Sequence, residues 1–154
     1  KQLLILCIED AQYMANEKSI NIHFDYQGTA LLQADPNLLS SALNNILVNA
    51  INYSHKNHQV TVNLTKTSTS FIIEIIDTGT GVPIEDLPKL FEPFYRVAQA
   101  RDRATGGTGL GMAIAKQAIV AHNGIISAQN NNQNGLTVII ELPIAISKNN
   151  THEI

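Results

Sequence analysis

The chain has 154 residues, 44% of them hydrophobic, with 10 Lys and Arg against 13 Asp and Glu for a formal charge of −3. This is ordinary for one globular domain with a real core; the mild negative balance offers nucleic acid no general attraction, and no apolar run approaches the roughly 18 residues that a membrane span needs. Cys7 is the only cysteine, which excludes an internal disulfide and a cysteine-built metal site and is at home in a reducing cytoplasm.

Leu3, Leu4, Cys7, Ala11, Met14 and Ala15 recur at helical spacing and predict a helix over 1–18. With no cap before it and lysine at residue 1, the chain is expected to begin inside a helix of something longer. INIHFDY (20–26) alternates apolar and polar residues as a strand does, and Asp35 followed by Pro36 opens a second helix over about 36–53. QVTVNLTK (59–66) and SFIIEIID (70–77) form a predicted strand pair, and a third helix covers about 110–122. GIISAQN (124–130) and LTVIIELP (136–143) form another pair, joined through the Asn-rich NNQNG, and SKNNTHEI (147–154) is expected to be a disordered tail. The simplest layered solution is an α+β domain over 1–146, a two-layer sandwich of a mixed, mostly antiparallel sheet with helices on one face.

Three stretches carry chemistry. On the second helix, Leu39, Ala42, Leu43, Ile46, Leu47 and Ala50 share one side, while Asn45, Asn49 and Asn52 line the other. A solvated face would be served better by Glu, Lys or Gln, since Asn is a poor interior helix former at roughly 0.5 kcal/mol each against Ala. Carboxamides suit a site that must meet a hard cation and phosphate oxygens together. Asp77, at the end of an apolar strand, precedes Thr78, Gly79, Thr80 and Gly81: either an Asx turn closing the strand, or a carboxylate met by an adenine amino group with glycines that let a flat base approach. GGTGLGMAIAK (106–116) puts four glycines in six positions at the mouth of a helix, either a hinge or a cradle of bare N–H groups for phosphate. Neither a P-loop nor a dinucleotide fingerprint fits: GxxxxGK[ST] is absent, and Met112 and Ile84 stand where GxGxxG requires its last glycine.

In order, NNILVNAINYS (44–54), DTGTG (77–81), FEPFYR (91–96) and GGTGLGMAI (106–114) closely resemble the N, G1, F and G2 boxes of the catalytic, ATP-binding domain of bacterial sensor histidine kinases. The resemblance covers nearly the whole chain, and EPFYRVAQARDRATGGTGLG is most similar to envelope-stress sensors of the Cpx type. It implies a Bergerat-type fold with a flexible ATP lid over 88–108, rooted by Phe91 and Phe94. It implies that Asp77 takes the adenine amino group, that Gly79 and Gly81 shape the pocket, that Tyr53 covers the base and that Thr137 acts near it. Asn49, with Asn45 one turn earlier, would hold Mg²⁺; Arg96 would reach toward phosphate; and Gly107, Thr108, Gly109, Leu110 and Gly111 would offer N–H groups to the phosphates.

The partners implied are a phosphoacceptor and dimerisation domain of the same parent kinase and a response regulator. The parent is expected to be an inner-membrane-anchored homodimer with this domain in the cytoplasm. Position 52 is Asn where the family often has lysine, so a phosphate contact is weaker or comes from elsewhere. None of His23, His55, His58, His122 or His152 sits in the acceptor context, and His122, in HNG, reads as a helix C-cap or packing residue. An ATP-gated ATPase of the same superfamily is the rival. Such enzymes keep a water-activating acid where this chain has Asn45, which cannot act as a general base. A nucleotide-binding module without catalysis is a second alternative, and a serine-kinase anti-sigma factor, which FEPFYR disfavours, is a third.

Overall fold

The computed structural model describes residues 1–26, 31–97 and 108–144. Helix α1 (Gln2–Glu17) buries Leu4, Cys7, Ala11 and Ala15 at spacings of three and four, and strand β1 (Asn21–Tyr26) follows directly. Helix α2 (Pro36–Tyr53) starts as its sequence requires. Asp35 has extended backbone, and its side chain accepts from the N–H groups of Asn37 and Leu38 at 2.9 and 3.1 Å. Pro36 fills the first turn, where a missing N–H costs nothing. The buried face of α2 is the predicted stripe with Ile51 added.

Strands β2 (Gln59–Lys66) and β3 (Ser70–Ile76) form the expected antiparallel hairpin, and β4 (Ile125–Asn130) pairs antiparallel with β5 (Leu136–Pro143). The sheet order is β1-β2-β3-β5-β4. All pairings are antiparallel except β1 with β2, which run parallel because α2 carries the chain back across the sheet between them. Register places Val62 beside Ile75, Leu64 beside Ile73, and Ile73 beside Ile140, so these large side chains stack on one face under the helices. The expected α+β architecture, a mixed and mostly antiparallel sheet layered against helices, is the one found.

Helix α2 lies against both α1 and α3 (Gly111–Ala121). Helix α3 ends at His122, followed by Asn123 in the left-handed region, and the Gly124 N–H returns to the Ile119 carbonyl at 2.9 Å. His122 does more than cap. Its Nδ1 meets the Ala118 carbonyl at 2.7 Å, and its Nε2 accepts the Asp35 N–H at 3.0 Å, which joins the end of α3 to the start of α2 and requires the neutral ring with hydrogen on Nδ1.

One element has no counterpart in the predicted pattern: a 3-10 turn at Ile84–Lys89, with Pro88 inside it. Six residues flanked and interrupted by proline are too few to show a period. The predicted tail and the boundary at 146 lie outside the described residues, as does part of the predicted lid, residues 98–107.

Candidate nucleotide site

Between the asparagine face of α2, the turn after β3 and the glycine turn before α3 lies a cavity of about 270 Å³. Asn45, Asn49, Tyr53, Asp77, Gly81, Arg96, Thr108, Gly109 and Gly111 line it, so residues expected from four separate boxes converge on one space. Gly79, Leu110 and Thr137 are not among the lining residues, and Gly107 lies outside the described residues.

Asp77 is 4% exposed, and its position is set by backbone. Its N–H donates to the Leu136 carbonyl, and Oδ1 accepts from Leu136 N–H and Gly79 N–H, all at 2.9 Å. Among the described residues Oδ2 takes no partner, and Asp77 lines the cavity. Burial pushes the Asp77 carboxyl above its usual range, against the pull of the two backbone donors and nearby His55. Gly79 is required here for space, since a Cβ would come within 2.5 Å of the Tyr53 carbonyl. Gly81 has φ +67, a conformation that L side chains rarely adopt.

The Asn-rich turn between β4 and β5 contributes two residues that sequence reasoning passed over. Asn131 accepts from Gln133 and Gly135 N–H groups at 2.9 and 3.0 Å and donates to the Asp77 carbonyl at 3.0 Å. It also reaches Thr137 Oγ1 at 3.5 Å, the place of the predicted threonine, which is buried beside the Asp77 turn rather than on the cavity. Asn130 brackets Val82, accepting its N–H at 2.9 Å and donating to its carbonyl at 2.7 Å. A side chain at Gly135 would fall on the Asp77 carbonyl. The only available signal was the density of Asn around a glycine, which reads as a turn and says nothing of what the turn holds.

At the opposite end Asn45 donates to the Ser41 carbonyl at 2.8 Å, which leaves its oxygen beside Gly111, where an added Cβ would meet it at 2.9 Å. Asn49 lines the cavity with its carboxamide uncommitted to any described residue. Asn52 accepts a hydrogen bond from Lys18 Nζ at 2.6 Å, so an ammonium does stand at this position, brought from the end of α1.

Gly109 has φ +75 and lies directly on the Phe94 backbone, with Phe94 N–H donating to the Gly109 carbonyl at 3.0 Å. This corrects the expected lid root in one respect. Phe91 is buried, but Phe94 is 73% exposed, and it is the Phe94 main chain, itself at φ +64, that meets Gly109 at the base of the segment.

Residues 34–146 match the family model described as histidine kinase-, DNA gyrase B-, and HSP90-like ATPase. The chain belongs to this family. Within it, the chain is 39% identical over 145 residues to the sensor histidine kinase CpxA of Escherichia coli K12, covering 93% of this chain and 31% of that one. The catalytic domain of histidine kinase ThkA superposes with a TM-score of 0.80 at 26% identity over 92% of each chain. Full-length ShkA in complex with AMPPNP gives 0.79 at 25% identity, over 92% of this chain and 29% of that one. This chain thus spans about a third of its curated relative's length, and its fold is that of histidine kinase catalytic domains.

Proposed function

We propose that this domain binds Mg-ATP in the cavity and transfers the γ-phosphate to a histidine on a separate dimerisation and phosphoacceptor domain of its parent kinase, for relay to a response regulator. The observation that carries the reading is Asp77, a buried carboxylate with one oxygen filled by two backbone N–H groups and the other left to the cavity. An adenine amino group supplies the donor that such an oxygen needs, whereas guanine presents a carbonyl at the same place. Tyr53 flanks that end of the cavity, and the AMPPNP held by ShkA, a structural relative, is an ATP analogue.

The carboxamide oxygens of Asn49 and Asn45 fit Mg²⁺, a hard cation that keeps most of its coordination for phosphate and water. When bound, the ion neutralises charge on the phosphates. Arg96 and the N–H groups from Thr108 to Gly111 orient the phosphates from the other side. Phosphoryl transfer depends chiefly on such positioning and charge stabilisation, so the domain leaves proton removal to the partner that carries the histidine. Asn45 has its N–H₂ committed to Ser41 and an oxygen with no useful basicity, which disfavours the water activation of the ATP-gated relatives. The parent is proposed to be a membrane-anchored homodimer with this domain on the cytoplasmic side. Among the described residues no helix is long and apolar enough to cross a membrane.

The test follows γ-labelled ATP on a gel, with and without the phosphoacceptor hairpin of the parent. Label is expected on the hairpin and none on this chain alone. Label on the isolated chain, or rapid phosphate release without a partner, would overturn the assignment.

A further inference from the structure

Among its described lining residues the cavity is short of fixed positive charge for a polyphosphate. Among them Arg96 is the only cation, and Asp77 is an anion. A second cation stands just behind the wall. Lys18 follows the last residue of α1, its backbone N–H donating to the Ala15 carbonyl at 3.1 Å, and its side chain runs across to α2. There Nζ donates to Asn52 Oδ1 at 2.6 Å, a bond between residues 34 apart, and Asn52 itself lines the cavity. Among the described residues no carboxylate lies within ion-pair distance of Lys18.

A solvated lysine would keep its rotamer freedom and its water. Lys18 gives up part of both: it is half-buried, and burial lowers the pKa of its ammonium below the usual lysine range. The arrangement leaves a positive charge partly stripped of water, pinned by a neutral amide and without a counter-ion among the described residues, at the edge of a cavity read as an anion's site. The carbonyl end of α1 keeps that charge favourable when the cavity is empty.

We propose that Lys18 is a nucleotide-binding residue, presenting its ammonium past Asn52 to the α- and β-phosphates of the nucleotide. The inference rests on the ATP reading above. Its place along the cavity follows from α2. Asn52 adjoins Tyr53 at the Asp77 end, whereas Asn45, beside Gly111, lies seven residues back, roughly 10 Å at 1.5 Å per residue. The charge of Lys18 therefore serves ATP and ADP alike and does not discriminate the γ-phosphate.

Calorimetric titration of the full chain with ATP, ADP and adenosine tests this, using wild type, Lys18→Gln, Lys18→Arg and the double variant Lys18→Gln/Asn52→Lys, each checked for an intact thermal transition. Lys18→Gln is expected to weaken ATP and ADP by about tenfold each, the effect of losing one charge-assisted hydrogen bond, and to leave adenosine within about twofold. Lys18→Arg should stay within about threefold of wild type. The double variant, with an ammonium in the position of the amide, should recover most of the loss. Unchanged ATP affinity in Lys18→Gln, or an equal loss for adenosine, overturns the proposal, the latter by revealing a merely structural role. A wild-type chain that binds neither nucleotide nor adenosine overturns the ATP reading itself, and this inference with it.

Discussion

At the Asp77 end of the cavity each wall is tied to another. Leu136 and Gly79 hold the carboxylate, Asn131 holds the Asp77 carbonyl, and Asn130 holds Val82. At the Gly109 end the chain approaches through residues in the left-handed region, Phe94 and Gly109, joined main chain to main chain. The first end presents one acceptor at a fixed point, which suits reading a flat, uncharged base whose misplacement would erase selectivity. The second presents bare backbone and carboxamides, which suit charge spread over several oxygens and tolerant of small shifts. On the proposed function, base selectivity and phosphate binding would thus be built from different materials within one cavity.

The largest expected effect lies at the second end. Asn49→Ala removes an uncommitted carboxamide while leaving the buried stripe of α2 intact, so the domain should fold and still bind adenosine. Transfer to the hairpin should fall by at least about 100-fold, the order expected when reacting groups lose alignment. Transfer within tenfold of wild type would mean that the cation is held elsewhere.

Asp77→Asn asks whether the first end trades stability for recognition. The neutral isostere keeps an oxygen for Leu136 and Gly79 but turns a donor toward the cavity, so ATP affinity should fall by about 1 to 3 kcal/mol. Stability should move the other way. Because burial raises the folded carboxyl's pKa above its unfolded value, the folded state binds the proton more tightly. The domain therefore gains stability as pH falls from neutral through the folded pKa toward the unfolded one. Asp77→Asn should be at least as stable as wild type at neutral pH and lack this component of the pH dependence, as read by denaturant unfolding at several pH values. A variant that unfolds more readily at neutral pH and keeps the full pH profile would contradict the account of Asp77.

What the amino-acid order made legible divides along the same line. Asp35, Pro36 and the 3.6-residue stripe announce α2 locally, and a strand ending in Asp before Thr-Gly announces the Asp77 turn. The supports of that turn were not legible. Asn131 meets Asp77 across 54 residues and Asn130 meets Val82 across 48, and no local rule connects them. Parallel pairing of β1 with β2 depends likewise on where α2 returns the chain. The role of the Phe94 side chain came from the resemblance alone, whereas Phe94 is exposed, and its left-handed backbone makes the contact with Gly109. Local pattern reveals groups that act on a ligand better than groups that act on other residues.

Gly109→Ala sharpens the comparison at intermediate size. A Cβ there would lie 2.9 Å from the Phe94 carbonyl carbon on a backbone of φ +75, so the turn must shift. A penalty of about 1 to 2 kcal/mol is expected, larger than the usual gain from replacing glycine at a compatible site. Because the shift is confined to the Gly109 end, ATP binding should weaken while adenosine binding stays unchanged. Equal weakening of both would show that the two ends are mechanically coupled.

The smallest effect is expected at Phe94, and it decides whether main chain or ring closes the base of the segment. Phe94→Ala removes the ring of a residue that is 73% exposed and leaves in place the N–H that donates to Gly109. Surface substitutions that leave the backbone bonded change stability by about 0.5 kcal/mol or less, and alanine tolerates φ +64 no worse than phenylalanine. Thermal unfolding and ATP titration of Phe94→Ala should therefore match wild type closely, whereas Phe94→Pro, which removes the N–H and cannot adopt positive φ, should disrupt the turn. A large loss of ATP affinity in Phe94→Ala would return the anchoring role to the ring.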